Sequence, residues 1–426
     1  MKRNMIFLVS LLLISGATFA QIRSYGKDGL NEFETPKAEK ESFDRVKLKI
    51  GGNFNQSFQA LSHSNTADIQ QNPNAKLVDI VPGFNTASAN LNFDVNLAEG
   101  VYMNMALYLS SRHHNETWVK GGFIRFDKLP FLKIDWLDNI MRYTTIKVGH
   151  MEINYGDAHF RRSDNGNAMY NPFVENYILD AFTTEIGGEI NVSHNGFLGV
   201  ASVTNGMIKG NIQGFDPVPG ATNGKAKPAF IGKLGYDKQI NDDLRVRLTG
   251  SVYHTEGSLS NTLYGGDRAG SHYYGVMDNA LTTSTFTSGR LNPGFGDKVT
   301  SMMGNLFVKY GGLESFTTIE SANGRGRTET TGERNANQFA TDLIYRFGSA
   351  EDFWIGARYN VASALLGGYT DDVTIDRLAV SAGWFVTKNI MAKLEYVTQN
   401  YDGFVNTDIR NGGKFSGLAL QAVVGF

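Results

Sequence analysis

The chain reads as an all-β protein, a transmembrane antiparallel β-barrel of sixteen strands with fourteen as the lower count, and three patterns carry that reading. Apolar and polar residues alternate with period two through most of the sequence. The alternating segments mostly run nine to thirteen residues. That is near the roughly 9–11 a tilted strand needs to cross a bilayer, and longer than the soluble mode of about 5 or 6. The connectors between them fall into a short set and a long set at opposite ends.

Ahead of the alternation, Lys2 and Arg3, the apolar run 5–14 and Gly16-Ala17-Thr18-Phe19-Ala20 have the layout of a secretory signal peptide over 1–20. Gln21 follows instead of Cys, which excludes a lipoprotein. Residues 21–45 are rich in charge of both signs, carry Pro36 and hold few apolar anchors. They predict a flexible periplasmic segment, with a docking peptide or small plug as the other roles open to it.

The barrel is expected over 46–426. Val46, Leu48, Ile50 and Phe54 share one face of the first strand, and Lys47, Lys49 and Asn53 the other, because side chains at i and i+2 point the same way. The same logic predicts strands near 46–60, 85–97, 101–111, 118–126, 143–151, 183–193, 197–205 and 228–239. It continues through 243–256, 301–310, 313–321, 336–347, 353–362, 375–386, 390–400 and 415–426. Leu244, Val246 and Leu248 against Arg245, Arg247 and Thr249 show it plainly. So do Leu418, Leu420, Val424 and Phe426 in the last segment.

Counted this way, the turns near 98–100, 193–196, 240–243, 311–312, 348–352 and 387–389 fall at one end. Long connectors fall at the other, 152–182 and 257–300 being the longest. Short periplasmic turns and long external loops are the asymmetry of an outer-membrane barrel. Two connections break it, a short external one near 112–117 and a longer internal one at 127–142. A secreted sandwich or propeller would also alternate, but would not need long strands or aromatic residues near strand ends such as Tyr143, Tyr236, Tyr310 and Trp384. After Ala20 no stretch reaches the 18 or more apolar residues of a spanning helix.

Composition removes other classes. The absence of Cys excludes disulfides, thiolate nucleophiles and Cys-ligated metal, and a formal charge of −2 gives no footprint for nucleic acid. His113 and His114 precede Glu116, but adjacent strand residues point to opposite faces, so no metal site is expected. The His residues lack HExxH spacing, Gly265-Gly266 and Gly367-Gly368 lack the context of a phosphate loop, and His254 near Ser251 and Ser258 is ordinary loop-edge composition. No enzyme and no cofactor are expected.

Parity assigns the lumen. Lys47, Lys49, Lys147, Lys233, Arg245 and Arg247 should face inward, as should Lys309, Arg346, Arg358, Arg377 and Lys393. The acidic set on the same rule is Asp94, Glu185, Glu189, Asp342 and Glu395. Eleven basic against five acidic positions would tilt a pore field toward anions, whereas the blander role is simply to hydrate and brace the wall. In loop 152–182, Glu152, Asp157, Arg161, Arg162, Asp164 and Glu175 could form a constriction if the loop turns inward, or an ordinary solvated loop if it stands outward.

The terminal stretch Gly417-Leu418-Ala419-Leu420-Gln421-Ala422-Val423-Val424-Gly425-Phe426 resembles the last strand of bacterial outer-membrane proteins. That resemblance implies Leu420, Val424 and Phe426 as the signal read by the barrel-assembly machinery. Ile146-Lys147-Val148-Gly149-His150-Met151-Glu152 with Tyr155-Gly156 resembles the strand-to-loop junction of phosphate-selective-type porins and their Bacteroidetes relatives. It implies a sixteen-stranded channel whose third external loop, here 152–182, can fold inward. The charged ladder of phosphate selectivity is not recognisable in this chain.

The functional expectation is a passive outer-membrane porin for small hydrophilic solutes, anions among them. The alternative is a non-conducting structural or accessory barrel of an envelope protein complex. Outer-membrane lipid and lipopolysaccharide would surround either, with a homo-oligomer as a further partnership.

Overall fold

The computed structural model describes residues 23–35, 37, 43–110, 116–213, 220, 226–266, 270–281, 288–330 and 332–426. The signal peptide expected over 1–20 and the pair His113 and His114 lie outside the described residues. The first half of the wall is β1 (Lys47–Ser64), β2 (Gly83–Phe84), β3 (Ser88–Ala98), β4 (Val101–Ser110), β5 (Glu116–Phe126), β6 (Thr144–Glu152), β7 (Thr184–His194) and β8 (Phe197–Thr204). The second half is β9 (Ala229–Gln239), β10 (Leu244–Thr255), β11 (Val299–Tyr310), β12 (Leu313–Gly324), β13 (Arg334–Phe347), β14 (Phe353–Ala364), β15 (Val373–Thr387), β16 (Ile390–Asp402) and β17 (Lys414–Gly425). Every pairing is antiparallel, and β1 meets β17 from Asn53↔Gly425 to Ser64↔Lys414, which closes the ring. The two-residue β2 and β3 share one place beside β1, so the barrel has sixteen wall positions. Closure removes the free sheet edge, whose amides would otherwise face hydrocarbon unpaired.

Strand limits fall close to those the alternation predicts, with the larger extensions at the long-loop end. β1 runs to Ser64 and β12 to Gly324. The backbone ladder continues there above the bilayer, where side chains no longer need to alternate.

Exposure is inverted relative to a soluble sheet. On β11, Leu306 is 42% exposed while its neighbours Asn305 and Phe307 are 2% and 1% exposed. Leu248, Leu343, Ile355, Val380, Leu394 and Leu420 repeat the outward apolar pattern on other strands. Such a belt of exposed Leu, Ile and Val over a polar interior is the surface a bilayer requires. Leu306→Arg is therefore expected to cost about 2–4 kcal/mol if that site lies near the bilayer midplane. Equilibrium urea unfolding in vesicles reads the loss.

The short-turn end carries the aromatic girdle. Phe353 stacks on Trp384 at 5.5 Å, Phe197 meets Tyr236 at 5.0 Å, and Tyr143 meets the His194 ring at 4.5 Å. At the β7–β8 turn, Asn195 and Gly196 both take positive φ, 50° and 87°, as a two-residue type I′ hairpin demands. The longer connection at this end contains α1 (Asp135–Met141).

Between β6 and β7, Gly149 lies opposite Gly187. A Cβ on Gly149 would sit 2.6 Å from the Phe123 Cα, and one on Gly187 2.7 Å from the Thr204 Cα. From β5 to β8 these glycines let neighbouring backbones approach closely.

The interior is a core. Met169, Phe173, Val174, Ile178 and Leu179 of loop 153–183 are buried together with Leu263, Tyr264, Tyr273 and Leu291 of the connection between β10 and β11. They pack on inward Ala336, Ala362, Ala379, Val397, Ala419 and Val423 of β13–β17. The stretch expected as a mobile tail is also inside for residues 23–35, with Tyr25 and Phe33 buried. Phe33 sits edge-on to Phe160 and Phe307, at 5.8 and 5.4 Å, which gives an otherwise charged segment an apolar anchor.

Candidate functional site

A loop can enter a barrel only if its backbone finds partners there, since buried N–H and C=O groups are costly when unpaired. The wall supplies them. The Val174 N–H donates to the Glu395 carboxylate at 2.8 Å, Ile178 N–H to Asn360 Oδ1 at 2.7 Å, and Leu179 N–H to Gln338 Oε1 at 2.9 Å. In return, Lys393 Nζ donates to the carbonyls of Asn171 and Phe173 at 2.8 and 2.7 Å. Arg377 donates to the Asn176 carbonyl at 2.6 Å, and Arg358 to that of Glu175 at 2.9 Å.

All eleven basic residues that parity points inward lie on the inner face, but few of them meet open water. Arg358 pairs with Asp342 at 2.6 Å, and Arg346 with Glu314 at 3.1 Å. Lys233 and Arg247 both hold Asp157, at 3.0 and 2.8 Å, and Arg247 also reaches Glu34 at 2.7 Å. Arg245 pairs with Asp237 at 2.8 Å and Lys309 with Glu351 at 2.7 Å. Lys147 pairs with Glu189 at 2.9 Å, Lys47 with Asp44 at 2.9 Å, and Lys49 faces the Tyr25 ring at 5.8 Å. The expected excess of eleven bases over five acids is thus offset by carboxylates that the parity reading left out, Asp237 and Glu314 among them.

Loop 152–182 turns inward, which resolves its two open arrangements. Arg161 is spent on Glu314 of β12 at 2.5 Å and anchors the loop to the wall, while Arg162 is spent on Asp180 at 2.5 Å and braces the loop internally. Glu175 meets Arg290 at 2.9 Å, while Asp164 takes Lys120 and Tyr108. Glu152 bonds His159. Burial by itself would raise the Asp157 carboxyl, but Lys233 and Arg247 outweigh it and hold it well below the usual carboxylate range. Glu34 is held low for the same reason, and Glu175 by Arg290 against its own burial. Burial pushes the His159 imidazole down, so Glu152 only partly restores its basicity.

The N-terminal segment crosses the short-turn mouth. Tyr25 donates to Asp94 on β3 at 2.9 Å, and its carbonyl accepts from Asn53 on β1 at 3.1 Å. Farther along, Asn31 donates to Glu314 on β12 at 2.7 Å and Glu34 reaches Arg247 on β10. The chain then returns to β5, where the Thr35 carbonyl accepts from Arg125 at 3.3 Å.

One side of the lumen stays hollow. A cavity of about 260 Å³ lies between the loop and the wall at β4–β6. Its basic lining is Arg23, Lys120, Arg125, Lys147 and Arg162, against Glu34, Glu152 and Asp164. A second opening of about 520 Å³ lies among the long loops, bordered by Tyr369, Tyr401, Asp408 and Arg410.

Sequence reasoning missed Arg23, Lys120 and Arg125. Lys120 and Arg125 differ in parity, yet both face inward because β5 gains an extra residue where Ala106 pairs with Gly121 and Leu107 with Val119. A bulge of this kind switches the face that period two assigns. The Gly121-Gly122 pair beside it was the available signal.

No protein-family model matches the sequence, and no curated protein matches it. Solved structures do. An anion-selective porin from Comamonas acidovorans is similar with a TM-score of 0.53 at 9% identity, over 90% of this chain and 100% of that one. The outer membrane channel DcaP of Acinetobacter baumannii gives 0.52 at 10% identity, over 91% of this chain and 100% of that one. OmpT of Vibrio cholerae in its trimer form gives 0.52 at 11%, over 90% and 100%. The shared feature is the fold: this chain is a closed, sixteen-stranded antiparallel β-barrel that resembles the folds of outer-membrane porins and channels.

Proposed function

We propose that the chain is an outer-membrane channel for small hydrophilic solutes, biased toward anions, whose passage is the off-centre cavity along β4–β6. The observation that carries this reading is that cavity, with five basic and three acidic side chains around about 260 Å³. Basic groups at the surface of a hydrated path lower the barrier for an anion, and the carboxylates that pair with them, Glu189 with Lys147 and Asp127 with Arg125, keep the grip weak. The resemblance of Ile146–Glu152 to phosphate-selective-type porins is in keeping with an anionic cargo, and the architecture is that of non-catalytic channels more than of enzymes.

The test is conductance of the purified protein in a planar bilayer under a salt gradient. Narrow, anion-favouring steps are expected. Lys147→Gln leaves Glu189 without its 2.9 Å partner at the cavity wall and should move the reversal potential toward cations. An unchanged potential would remove Lys147 from the passage.

One observation favours a second reading. The segment 23–35 spans the short-turn mouth from β1 and β3 to β12 and back to β5. A permanently stopped barrel would serve as an accessory subunit of an envelope complex, and silence in the bilayer even after removal of that segment would select it.

A further inference from the structure

We propose that the excursion between β5 and β6, residues 128–142, is a foot that seats in the headgroup layer of the leaflet at the short-turn end, with the lipid surface as its partner. Other connections at this end, such as Ser193–Leu198 around Asn195-Gly196 and the Gly311-Gly312 turn, are tight hairpins. This one instead lays out Phe131, Leu132, Ile134, Trp136 and Ile140 on its surface, with Phe131 62% and Trp136 64% exposed. Trp136 and Ile140 are four residues apart on α1 and so share one face of it.

The lipid assignment rests on continuity. The Phe131 ring lies edge-on to Phe126 at 6.2 Å. Phe126 shares its strand face with Ile124, which is exposed on the outer wall. At the other end of the excursion, Tyr143 belongs to the aromatic girdle through His194. The apolar surface of the foot therefore joins the bilayer-facing belt at the level where Trp and Tyr favour the interface. Lys128, Lys133 and Arg142 are exposed along the same segment and suit lipid phosphates. Asp135 and Asp138 occupy the first turn of α1, where the helix dipole favours acids.

The helix also needs a support that water does not give. It has seven residues and no side-chain cap at Ile134. Isolated helices that short are marginal, and an amphipathic face bedded in an interface is what stabilises them. Lys37 of the N-terminal segment fixes the base, donating to the carbonyl of Asp127 at 2.9 Å and to that of Met141.

The chain contains no Cys, so single cysteines can be placed without background. Ile140→Cys and Leu132→Cys would each be nitroxide-labelled in full-length protein reconstituted in phosphatidylcholine and phosphatidylglycerol vesicles. Asn139→Cys would serve as an exposed polar comparison and Val148→Cys as a wall-facing one. Electron paramagnetic resonance then compares collision with oxygen, which partitions into lipid, and with a water-soluble nickel chelate. The expected result is an oxygen-to-nickel ratio several-fold higher at 140 and 132 than at 139, approaching that at 148. Nickel-dominated collision at both 140 and 132 would overturn the proposal by placing the foot in water. Exclusion of both reagents would overturn it too, by placing the foot against protein, such as a second copy. Labels at two sites guard against one substitution disturbing the fold, which heat-modified electrophoretic mobility checks.

Discussion

Deleting residues 23–45 is expected to raise single-channel conductance several-fold while leaving the barrel folded. The wall ladder does not use this segment, because closure runs directly from β1 to β17. What the segment contributes is a bar across the mouth, tied at Tyr25 to Asp94, at Lys27 N–H to the Lys388 carbonyl at 2.7 Å, and at Asn31 through its carbonyl to Arg245 at 2.9 Å. Each tie is modest, about 0.5–1.5 kcal/mol net for a neutral hydrogen bond and more for a charged one. Removing them, with Glu34 of the Arg247 cluster and the buried Phe33, should lower both the thermal midpoint and the resistance. If conductance stays the same while electrophoretic mobility reports a folded barrel, the restriction lies in loop 153–183 and the segment is only its brace.

Arg247→Met should be the most destabilising single change in the lumen. Arg247 is buried at 1% exposure and holds three carboxylates, from the loop at Asp157, from the N-terminal segment at Glu34 and from the wall at Asp237. Without it, Lys233 is the cation left to serve both Asp157 and Glu34, with only neutral donors, Thr249 and Asn154, beside it. Breaking a buried charge cluster by removing one partner typically costs about 3–5 kcal/mol.

The sign of the pH effect separates this account from a loss of packing. In the intact protein Glu34 and Asp157 are depressed, so their contribution is present above the ordinary carboxylate value and disappears as pH falls below it. In Arg247→Met that depression shrinks, and protonation relieves the surplus negative charge. The acid-side loss of stability should therefore flatten, and urea midpoints measured from neutral to acidic pH would show it. Parallel pH profiles would mean that the variant lost only side-chain volume. Replacing Arg245 and Arg247 by Glu, which a simple pore field would use to reverse selectivity, is expected to dislodge loop 153–183 as well.

The wall was readable because its physics is local. Leu248 between Arg247 and Thr249 states its direction by alternation alone, and strand length follows from the bilayer. The filling of the lumen is not local. Phe173, Val174, Ile178 and Leu179 look like ordinary apolar residues of a long loop until the wall residues that receive them are known. A trace existed: Ala379, Val397, Ala419 and Val423 are apolar on the inward parity, where a water-filled pore would favour polar side chains. Tyr25 and Phe33 were likewise hidden among the charges of the N-terminal segment. Lys120 and Arg125 were obscured by a single extra residue in β5, which no count of period two can register.

Interior backing on one flank divides the ring into a stiff arc and a compliant one. From β13 to β17 the wall bears on buried Phe173, Ile178 and Leu291, whereas β4–β6 borders the cavity and β6 faces β7 through a glycine pair. Regions with few buried contacts open and deform at lower free energy. A change in membrane tension or thickness is therefore expected to be taken up as ovalisation of the compliant arc, which would alter the width of the cavity at β4–β6 while the ion-paired filling on the far side keeps its shape. Deuterium uptake should accordingly run faster in β5–β7 than in β14–β16.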